Sequence, residues 1–584
     1  MTPALRQIGP IESEPLAQRD ATESAEIRHN ASGMRRPWLA HYDYWVPPSV
    51  TYPERPLWEI LDAAYVDVPD RAATVFLGAT LTYRDIKVRS DWFAHALAGL
   101  GIGKGDRVGI MLPNCPQYLV AAFAVLRRGA IVVNLNPTYT ARELLTLFVD
   151  SGIRAIVTLD ALVPVVQAVQ AETSIEQVIV TSLAEYSAAA AEPPHLEGCL
   201  TFADLVTGQG PAPVTRVPIE ADDVAVIQYT GGTTGTPKGA MLTHRNIFAN
   251  VVQTEVYTNQ TRTRGESRYL LVIPFFHIFG FTVGMMKGAW VGATQLLFPK
   301  FDVDAVLEAI RDHVPTYFPA VPTIWAALLA RPDATHYGLD RIRLCTSGAA
   351  PLPQASIDQF ERMFGRSLFE GFGLSEASPV THSTPLLGVR KPGTVGLPMP
   401  DTDIKVVDVE TGTHDLPAGE AGELCICGPQ VMKGYWNQPE ETALALRTHA
   451  DGRCWLHTGD IATIDDDGYT RIVQRKKDLV IVDGFNVYPA EVESVLQQHP
   501  DVRMAAAFGE PDPYHGEVVR ACVVLHDGAT LTADALRAYC RSALAPYKVP
   551  RTLEIRGSLP LSSVGKVLYR VLREQHSTSG TEGT

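Results

Sequence analysis

Apolar segments and turn-forming residues alternate along the chain from Pro56 onward. Short apolar runs typical of buried strands occur at 107–113, 130–135 and 155–158. Stretches of helical length separate them, at 117–126 and 144–149. Because strands separated by helices are the pattern of βαβ units, the sequence predicts an α/β fold with largely parallel sheets.

The pattern changes near Pro400, where the segments become shorter and the turns more frequent. Short β segments follow at 404–408, 423–427 and 469–473, which indicates an antiparallel β unit. After Lys477 a compact α+β pattern begins. Within it, Pro489 is expected to open one helix and Thr532 to cap another.

These changes divide the chain into a large domain, a small domain and two polar ends. The large domain is expected at 36–475, with its β-rich part at about 400–475, and the small domain at 478–575. Residues 1–35 and 576–584 are predicted to be a flexible extension and a flexible tail.

The charge balance is acidic, with 50 Lys and Arg against 65 Asp and Glu and a formal net charge of -15. A nucleic-acid-binding protein needs a basic surface to neutralise phosphates, so this class is disfavoured. The first residues lack a charged segment followed by an apolar core, so no secretory signal is expected. We expect a cytoplasmic protein that binds no nucleic acid.

The most membrane-like run extends from Tyr269 to Met286. It contains Pro274, His277 and two glycines, which are costly or kinking in lipid. A buried strand followed by a loop and a helix therefore fits this run better than a membrane span.

The eight cysteines are scattered, and Cys425 and Cys427 form the only close pair. Alternate positions of a strand face the same side, but one such pair is weak evidence for a metal site. We expect buried thiols in a reducing compartment.

A loop rich in glycine and threonine follows the strand-like run 224–229. Its glycines, Gly231, Gly232 and Gly235, allow successive N–H groups to form an anion cradle. Thr230, Thr233, Thr234 and Thr236 add hydroxyl donors, and Lys238 adds a positive charge. The loop is not a Walker A motif because Pro237 and Gly239 flank the lysine, so a magnesium ligand must come from elsewhere.

Six further segments contain candidate site residues, although taken alone those at 345–352 and 455–460 also fit ordinary turns, and those at 475–478 and 559–570 also fit solvated surface. They are Pro-Phe-Phe-His-Ile-Phe-Gly at 274–280, Cys-Thr-Ser-Gly-Ala-Ala-Pro-Leu at 345–352, Glu-Gly-Phe-Gly-Leu-Ser-Glu at 370–376, Trp-Leu-His-Thr-Gly-Asp at 455–460, Arg-Lys-Lys-Asp at 475–478 and a lysine-containing segment at 559–570. Glu376 is the expected Mg²⁺ ligand, because this ion prefers carboxylate and phosphate oxygens. Taken alone, His277 in its apolar segment reads as a core residue more readily than as a catalyst.

The glycine- and threonine-rich loop, with these segments in this order, resembles the adenylate-forming superfamily of acyl-CoA synthetases, peptide synthetase adenylation domains and beetle luciferases. The resemblance covers roughly residues 37–573. It implies two mainly parallel sheet-and-helix subdomains and a small β-barrel-like subdomain, followed by a small mobile α+β domain. It also implies ATP, CoA and Mg²⁺ as substrates and cofactor.

The resemblance assigns a role to each matching position. In the family the loop covers the β- and γ-phosphates, and the residues at His277, Phe279 and Phe281 adjoin the acyl group. The nucleotide positions are Gly348, Ala349, Ala350, Gly371, Phe372, Gly373, Ser375, Asp460 and Arg475. Phe372 replaces the tyrosine that usually stacks on adenine, so a hydrogen bond is lost there. Lys566 matches the lysine that enters the site during adenylation, Lys477 the hinge, and Gly484 and Phe485 the segment that turns toward the thiol.

Details of residues 37–39, 136–140 and 484–489 look most like bacterial fatty-acid–CoA ligases. The expected reaction is therefore ATP-dependent formation of a fatty acyl-AMP followed by transfer to CoA. An aryl-acid ligase of the coumarate type, an enzyme that loads a carrier protein, and a non-catalytic nucleotide- or lipid-binding protein stay open as alternatives. Peripheral contact with the inner membrane face and a homodimer are also left open.

Overall fold

The structure, a computed structural model, describes residues 35–191, 195–208, 212, 216–230, 237–261, 266–483, 485–512, 514–562 and 565–577. Nearly all of the predicted flexible extension and tail lie outside these ranges. The described residues form two large sheets and two five-stranded sheets.

The strands of the large domain are β1 Ala72–Phe76, β2 Ala79–Thr82, β3 Arg107–Met111, β4 Ile131–Asn134, β5 Ala155–Leu159, β6 Gln177–Thr181, β7 Leu200–Thr201, β8 Val224–Thr230, β9 Lys238–Thr243, β10 Arg268–Leu271, β11 Thr294–Leu297, β12 Tyr317–Ala320, β13 Leu344–Ser347, β14 Leu368–Gly373, β15 Val380–Ser383, β16 Leu397–Pro398, β17 Asp403–Val407, β18 Gly422–Cys427, β19 Gly434–Tyr435, β20 Leu446–Thr448, β21 Cys454–Ile464 and β22 Thr470–Arg475. Those of the small domain are β23 Val480–Val482, β24 Phe485–Val487, β25 Val502–Asp512, β26 Gly516–Leu525 and β27 Thr552–Ile555.

The α-helices are α1 Glu59–Asp67, α2 Tyr83–Gly99, α3 Pro116–Arg127, α4 Ala141–Ser151, α5 Val163–Gln170, α6 Phe202–Leu205, α7 His244–Thr258, α8 Lys287–Trp290, α9 Val303–His313, α10 Pro322–Leu329, α11 Gln354–Phe364, α12 Pro439–Ala445, α13 Pro489–Gln497, α14 Ala533–Ala543 and α15 Tyr569–Ser577. A π-helix, Gly280–Met286, runs directly into α8.

The two large sheets are mainly parallel, as the sequence predicts. The eight-stranded sheet has the order β19-β9-β8-β4-β3-β5-β6-β7, and β3 to β8 pair parallel. The nine-stranded sheet has the order β16-β15-β14-β13-β12-β10-β11-β1-β2, with a parallel centre and antiparallel ends. Helices connect the parallel strands, so the α/β expectation is confirmed.

Helix α3 explains how the two sheets share one core. All twelve of its residues are buried, in keeping with an apolar sequence on every face. Tyr118 on α3 donates to Phe275 O, and Asn114 just before it donates to Leu271 O and Ile273 O. These side chains bond to the segment that follows β10, where the candidate site begins.

The two smaller sheets match the predicted change of pattern. In the β-rich part, β17-β18-β21-β20 pair antiparallel and β22 adds to β21. In the small domain, β24-β23-β26-β25 pair antiparallel and β27 adds parallel to β26. The 3-10 turn Lys476–Asp478 connects the two sheets, at the position where the sequence places the domain boundary.

Capping bonds or a proline begin the helices α7, α13 and α14, and the expected helix starts at Pro489 and Thr532 are confirmed. Thr243 and Asn246 form a capping box at the start of α7, Thr532 accepts from Ala535 N at α14, and Pro489 opens α13. Such bonds satisfy N–H groups that have no partner within the helix.

The apolar run from Tyr269 is a strand, a loop and a π-helix, as expected. Within the described ranges, no helix has both the length and the apolar character needed to cross a membrane. The eight cysteines all lie in the described ranges and are free thiols.

Candidate active site

A cavity that is partly open to solvent lies where the carboxyl ends of parallel strands meet the small domain; its space, open solvent included, is about 800 Å³. In open α/β sheets this edge is the usual ligand-binding position. The predicted site residues in its wall are His277, Phe279, Gly348, Ala349, Gly371, Phe372, Gly373, Ser375 and Lys566. Residues distant in sequence are thus brought together at one cavity.

The slot predicted for adenine follows from the pairing of β13 with β14. These strands are parallel neighbours, so the turn after Ser347 lies beside the end of β14. Ala349 has a left-handed φ of 70°, and a Cβ on Gly373 would lie 2.1 Å from Pro379 O. Close backbone approach therefore shapes this wall, with the Phe372 ring beside it. Ala350 is half-buried one residue further along the turn.

The part of the cavity that is predicted to hold the acyl group is formed by the π-helix and the loop before it. Phe279 and Val283 line it and lie one turn apart. Phe281 is placed differently from its predicted role, because it is fully buried in the main core. Two residues along a helix turn a side chain to the other face, which separates Phe281 from Phe279.

His277 is held as a neutral ring. Burial, and to a smaller extent the charge of Lys566, lowers the pKa of His277 to about 3. Its Nδ1 accepts from Phe279 N at 3.2 Å. Since a neutral imidazole has one acceptor and one donor nitrogen, Nε2 carries the proton and is a donor.

Lys566 extends from the small domain into the cavity wall. Burial lowers the pKa of Lys566 to about 8, and the charge of Arg475 adds to this effect. Asp460 and Glu376 oppose it. The lysine is therefore a partly desolvated cation in a site with two carboxylates.

Asp460 and Arg475 form an ion pair beside the cavity. They are direct partners in the β21–β22 ladder, and Arg475 Nε lies 2.7 Å from Asp460 Oδ1. Asp460 Oδ2 is buried, and it has no hydrogen-bond partner among the described residues. Burial raises the pKa of the Asp460 carboxyl, while Arg475 lowers it. A buried acceptor of this kind fits a ligand hydroxyl.

The carboxylate expected to hold Mg²⁺ is positioned by a tyrosine. Glu376 lies in the 3-10 turn Ser375–Ala377, and Tyr435 Oη donates to its Oε1 at 2.7 Å. An oriented carboxylate is the donor that Mg²⁺ prefers, so Glu376 fits this role. Tyr435 was not anticipated from the sequence, because it is 59 positions away from Glu376 along the chain.

The glycine- and threonine-rich loop that is predicted to bind phosphate is described only at its two ends, Thr230 and Lys238. Thr230 ends β8 and Lys238 begins β9, and the two residues pair across the ladder. Lys238 Nζ forms an ion pair with Glu441 on α12 and lies 5.4 Å from the Tyr435 ring centre. The predicted phosphate ligands outside the described residues are Gly231, Gly232, Thr233, Thr234, Gly235 and Thr236. Glu441 was not anticipated from the sequence.

The residues predicted for the second step lie at the start of the small domain. Lys477 is in the turn after β22, and burial lowers its pKa. Gly484 lies outside the described residues. The backbone of Phe485 begins β24.

Comparisons with known proteins find similar sequences and similar structures over most of the chain. The sequence model of the AMP-binding enzyme family matches residues 61–436, and that of the AMP-binding enzyme C-terminal domain matches residues 491–566. A long-chain-fatty-acid–CoA ligase from Bacillus subtilis is 41% identical over 93% of this chain and 98% of its own length. A feruloyl-CoA synthase from Amycolatopsis is 36% identical over 87% of this chain and 96% of its own. An ATP-bound crystal structure of MatB from Rhodopseudomonas palustris superposes with a TM-score of 0.81 at 31% identity, covering 90% of this chain and 99% of that one.

Proposed function

The chain belongs to the AMP-binding enzyme family, and from that premise we propose that it is an ATP-dependent long-chain-fatty-acid–CoA ligase. It converts a fatty acid to acyl-AMP with release of pyrophosphate and then transfers the acyl group to CoA with release of AMP. The observation that carries the proposal is one cavity lined by His277, Phe372 and Lys566, with Asp460 beside it.

In the first step a carboxylate oxygen of the acid attacks the α-phosphorus of ATP. A new O–P bond forms, and the bond to pyrophosphate breaks. The Lys566 ammonium stabilises charge that develops on the phosphate oxygens, where its poor hydration strengthens the interaction. Glu376 would hold Mg²⁺, which supplies further charge neutralisation when bound.

The remaining side chains position the reactants. The His277 Nε2–H donates to an oxygen of the acid without adding positive charge, because its ring is neutral. Asp460 accepts from ribose hydroxyls through the oxygen that Arg475 leaves without a bond. Phe372 provides an aromatic face for adenine. Thr230 and Lys238 bind the departing phosphates at the two ends of the loop.

In the second step the CoA thiol attacks the acyl carbonyl, a C–S bond forms, and AMP leaves with the carboxyl oxygen. The small domain rotates about Lys477, which withdraws Lys566 from the cavity. Gly484 and Phe485 then approach the acyl-AMP. Reuse of one cavity by two domain orientations is a known way to separate two half-reactions.

The proposal places the enzyme in the cytoplasm, where ATP and CoA are supplied, with peripheral contact to the inner membrane face and a homodimeric assembly. Co-sedimentation with vesicles of bacterial lipids tests the membrane contact. The molar mass of the purified protein, measured by light scattering, tests the dimer. A protein that stays in the supernatant and has monomer mass refutes these two parts alone.

The activity itself is tested with a panel of acids. AMP and pyrophosphate are measured with acetate, octanoate, laurate, palmitate, oleate and coumarate, each with and without CoA. We expect AMP formation that needs both a fatty acid and CoA. Higher turnover of coumarate than of any fatty acid would establish the aryl-acid alternative, and no pyrophosphate release with any acid would refute adenylation.

A further inference from the structure

A buried lysine, Lys287, lines the cavity next to the π-helix. Lys287 is the first residue of α8, directly after the π-helix, and its residue is 1% exposed. Its Nζ donates to Thr254 O at 3.0 Å and to Thr258 Oγ1 at 2.7 Å, both on α7. The ammonium also lies 5.2 Å from the centre of the Tyr317 ring. A lysine in a cavity with Phe279 and Val283 in its wall is an unusual residue to find buried.

The bonds to α7 fix where this side chain lies. Thr254 and Thr258 are one turn apart at the end of α7, and Thr258 Oγ1 also donates to Thr254 O at 2.8 Å. A cation there is also favoured by the helix dipole. These bonds offset the cost of burying the ammonium and hold the lysine stem across the cavity. The ammonium group of Lys287 is therefore held by hydrogen bonds to α7.

A second cavity begins on the other side of these side chains. It is much smaller than the first and partly open to solvent, and Thr258, Lys287 and Tyr317 line both cavities. The rest of its wall is formed by Glu255, Ser267, Tyr269, Thr316 and Leu344. The three shared side chains thus lie between a mainly apolar pocket and a more polar one.

We propose that Lys287, Thr258 and Tyr317 form a partition that limits the length of the acyl chain. The inference rests on the proposed ligase activity and identifies the residues that set its chain-length preference. An acyl chain enters past His277 and extends along the π-helix until its methyl end meets the lysine stem. Longer chains need the space that the partition closes off.

The experiment compares two substitutions at one position. Lys287→Ala removes charge and volume, whereas Lys287→Met removes the charge but fills nearly the same space. The values of kcat/KM are measured as AMP formation with CoA for myristate, palmitate, stearate and arachidate. For Lys287→Ala we expect the ratio of arachidate to myristate to rise about tenfold, because the space vacated by the apolar lysine stem admits a few more methylene groups. For Lys287→Met we expect a ratio within about twofold of the wild-type ratio.

Tyr317→Val opens the same partition from strand β12 and is expected to shift the ratio of arachidate to myristate in the same direction. The partition can therefore be tested even if Lys287→Ala does not fold. Lys405→Met is the matched control, because Lys405 is another largely buried lysine but lies on β17 outside the cavity. An unchanged profile in both Lys287→Ala and Tyr317→Val would reject the partition. An equal shift in Lys287→Met and Lys287→Ala would reject its steric basis. Failure of the ligase proposal is distinct, since the wild-type protein would then form no AMP with any of the acids.

Discussion

Replacing Lys566 by alanine should separate the two half-reactions. Its ammonium lines the cavity, and burial lowers its pKa to about 8, so it is poorly hydrated where the phosphate charge develops. Loss of one preorganised group of this kind costs roughly 100- to 1000-fold in kcat, or about 3–4 kcal/mol of transition-state stabilisation. We expect a loss of this size in adenylation.

Each half-reaction has its own assay. Acid-dependent exchange of labelled pyrophosphate into ATP reports adenylation, and thioester formation from supplied acyl-AMP and CoA reports transfer. The second rate should stay within about threefold of the wild-type rate, because an interaction made only in one transition state affects that step alone.

Lys548→Ala is the control, since Lys548 lies in the same small domain and pairs with Glu491 on α13 instead of facing the cavity. It should leave both rates near the wild-type values. Equal losses of exchange and transfer in Lys566→Ala would show that the lysine acts on folding or on domain position, and would refute the assigned role.

Three further predictions concern the same cavity. Because the pKa of Lys566 is lowered to about 8 and the protonated form is the active one, kcat/KM for ATP in adenylation should fall above about pH 8. A pH–rate profile of Lys566→Arg should lack this decline. Tyr435→Phe should raise the Mg²⁺ concentration needed for half-maximal activity by roughly tenfold, because Tyr435 orients Glu376; an unchanged Mg²⁺ titration would place the metal elsewhere. Asp460→Asn should raise KM for ATP about tenfold, because a buried acceptor for the ribose hydroxyls is lost. For 2′,3′-dideoxy-ATP, which lacks these hydroxyls, KM should differ less between the variant and the wild type. An equal change in KM for the two nucleotides would exclude a ribose contact.

The parts of the fold that were predictable from the sequence depend on neighbours along the chain. The capping pair Thr243 and Asn246 is three residues apart, and β3, Arg107–Met111, lies within the largely apolar run 107–113. Order in these segments is set by backbone hydrogen bonding and periodic burial, which short stretches of sequence encode. Predicting that His277 and Lys566 lie at one cavity required the family resemblance, because no local sequence motif contains both residues.

The parts that sequence reasoning missed depend on long-range contacts or on an unusual helical period. Glu441 pairs with Lys238 across 203 positions, and no short motif contains both. Phe281 was assigned to the acyl pocket together with Phe279, but the helix turns it into the core. A strand-like alternation would have placed both rings on one side, whereas a helix does not.

The charges around Lys566 also give a physical reason for the order of the two steps. In the free enzyme Asp460 and Glu376 favour the charged form of Lys566, whereas burial and Arg475 disfavour it. A bound triphosphate adds several negative charges and favours the orientation in which Lys566 lies in the cavity. Release of pyrophosphate removes most of that charge once acyl-AMP has formed. The small domain is then free to rotate, and the thiol meets an adenylate that is already complete.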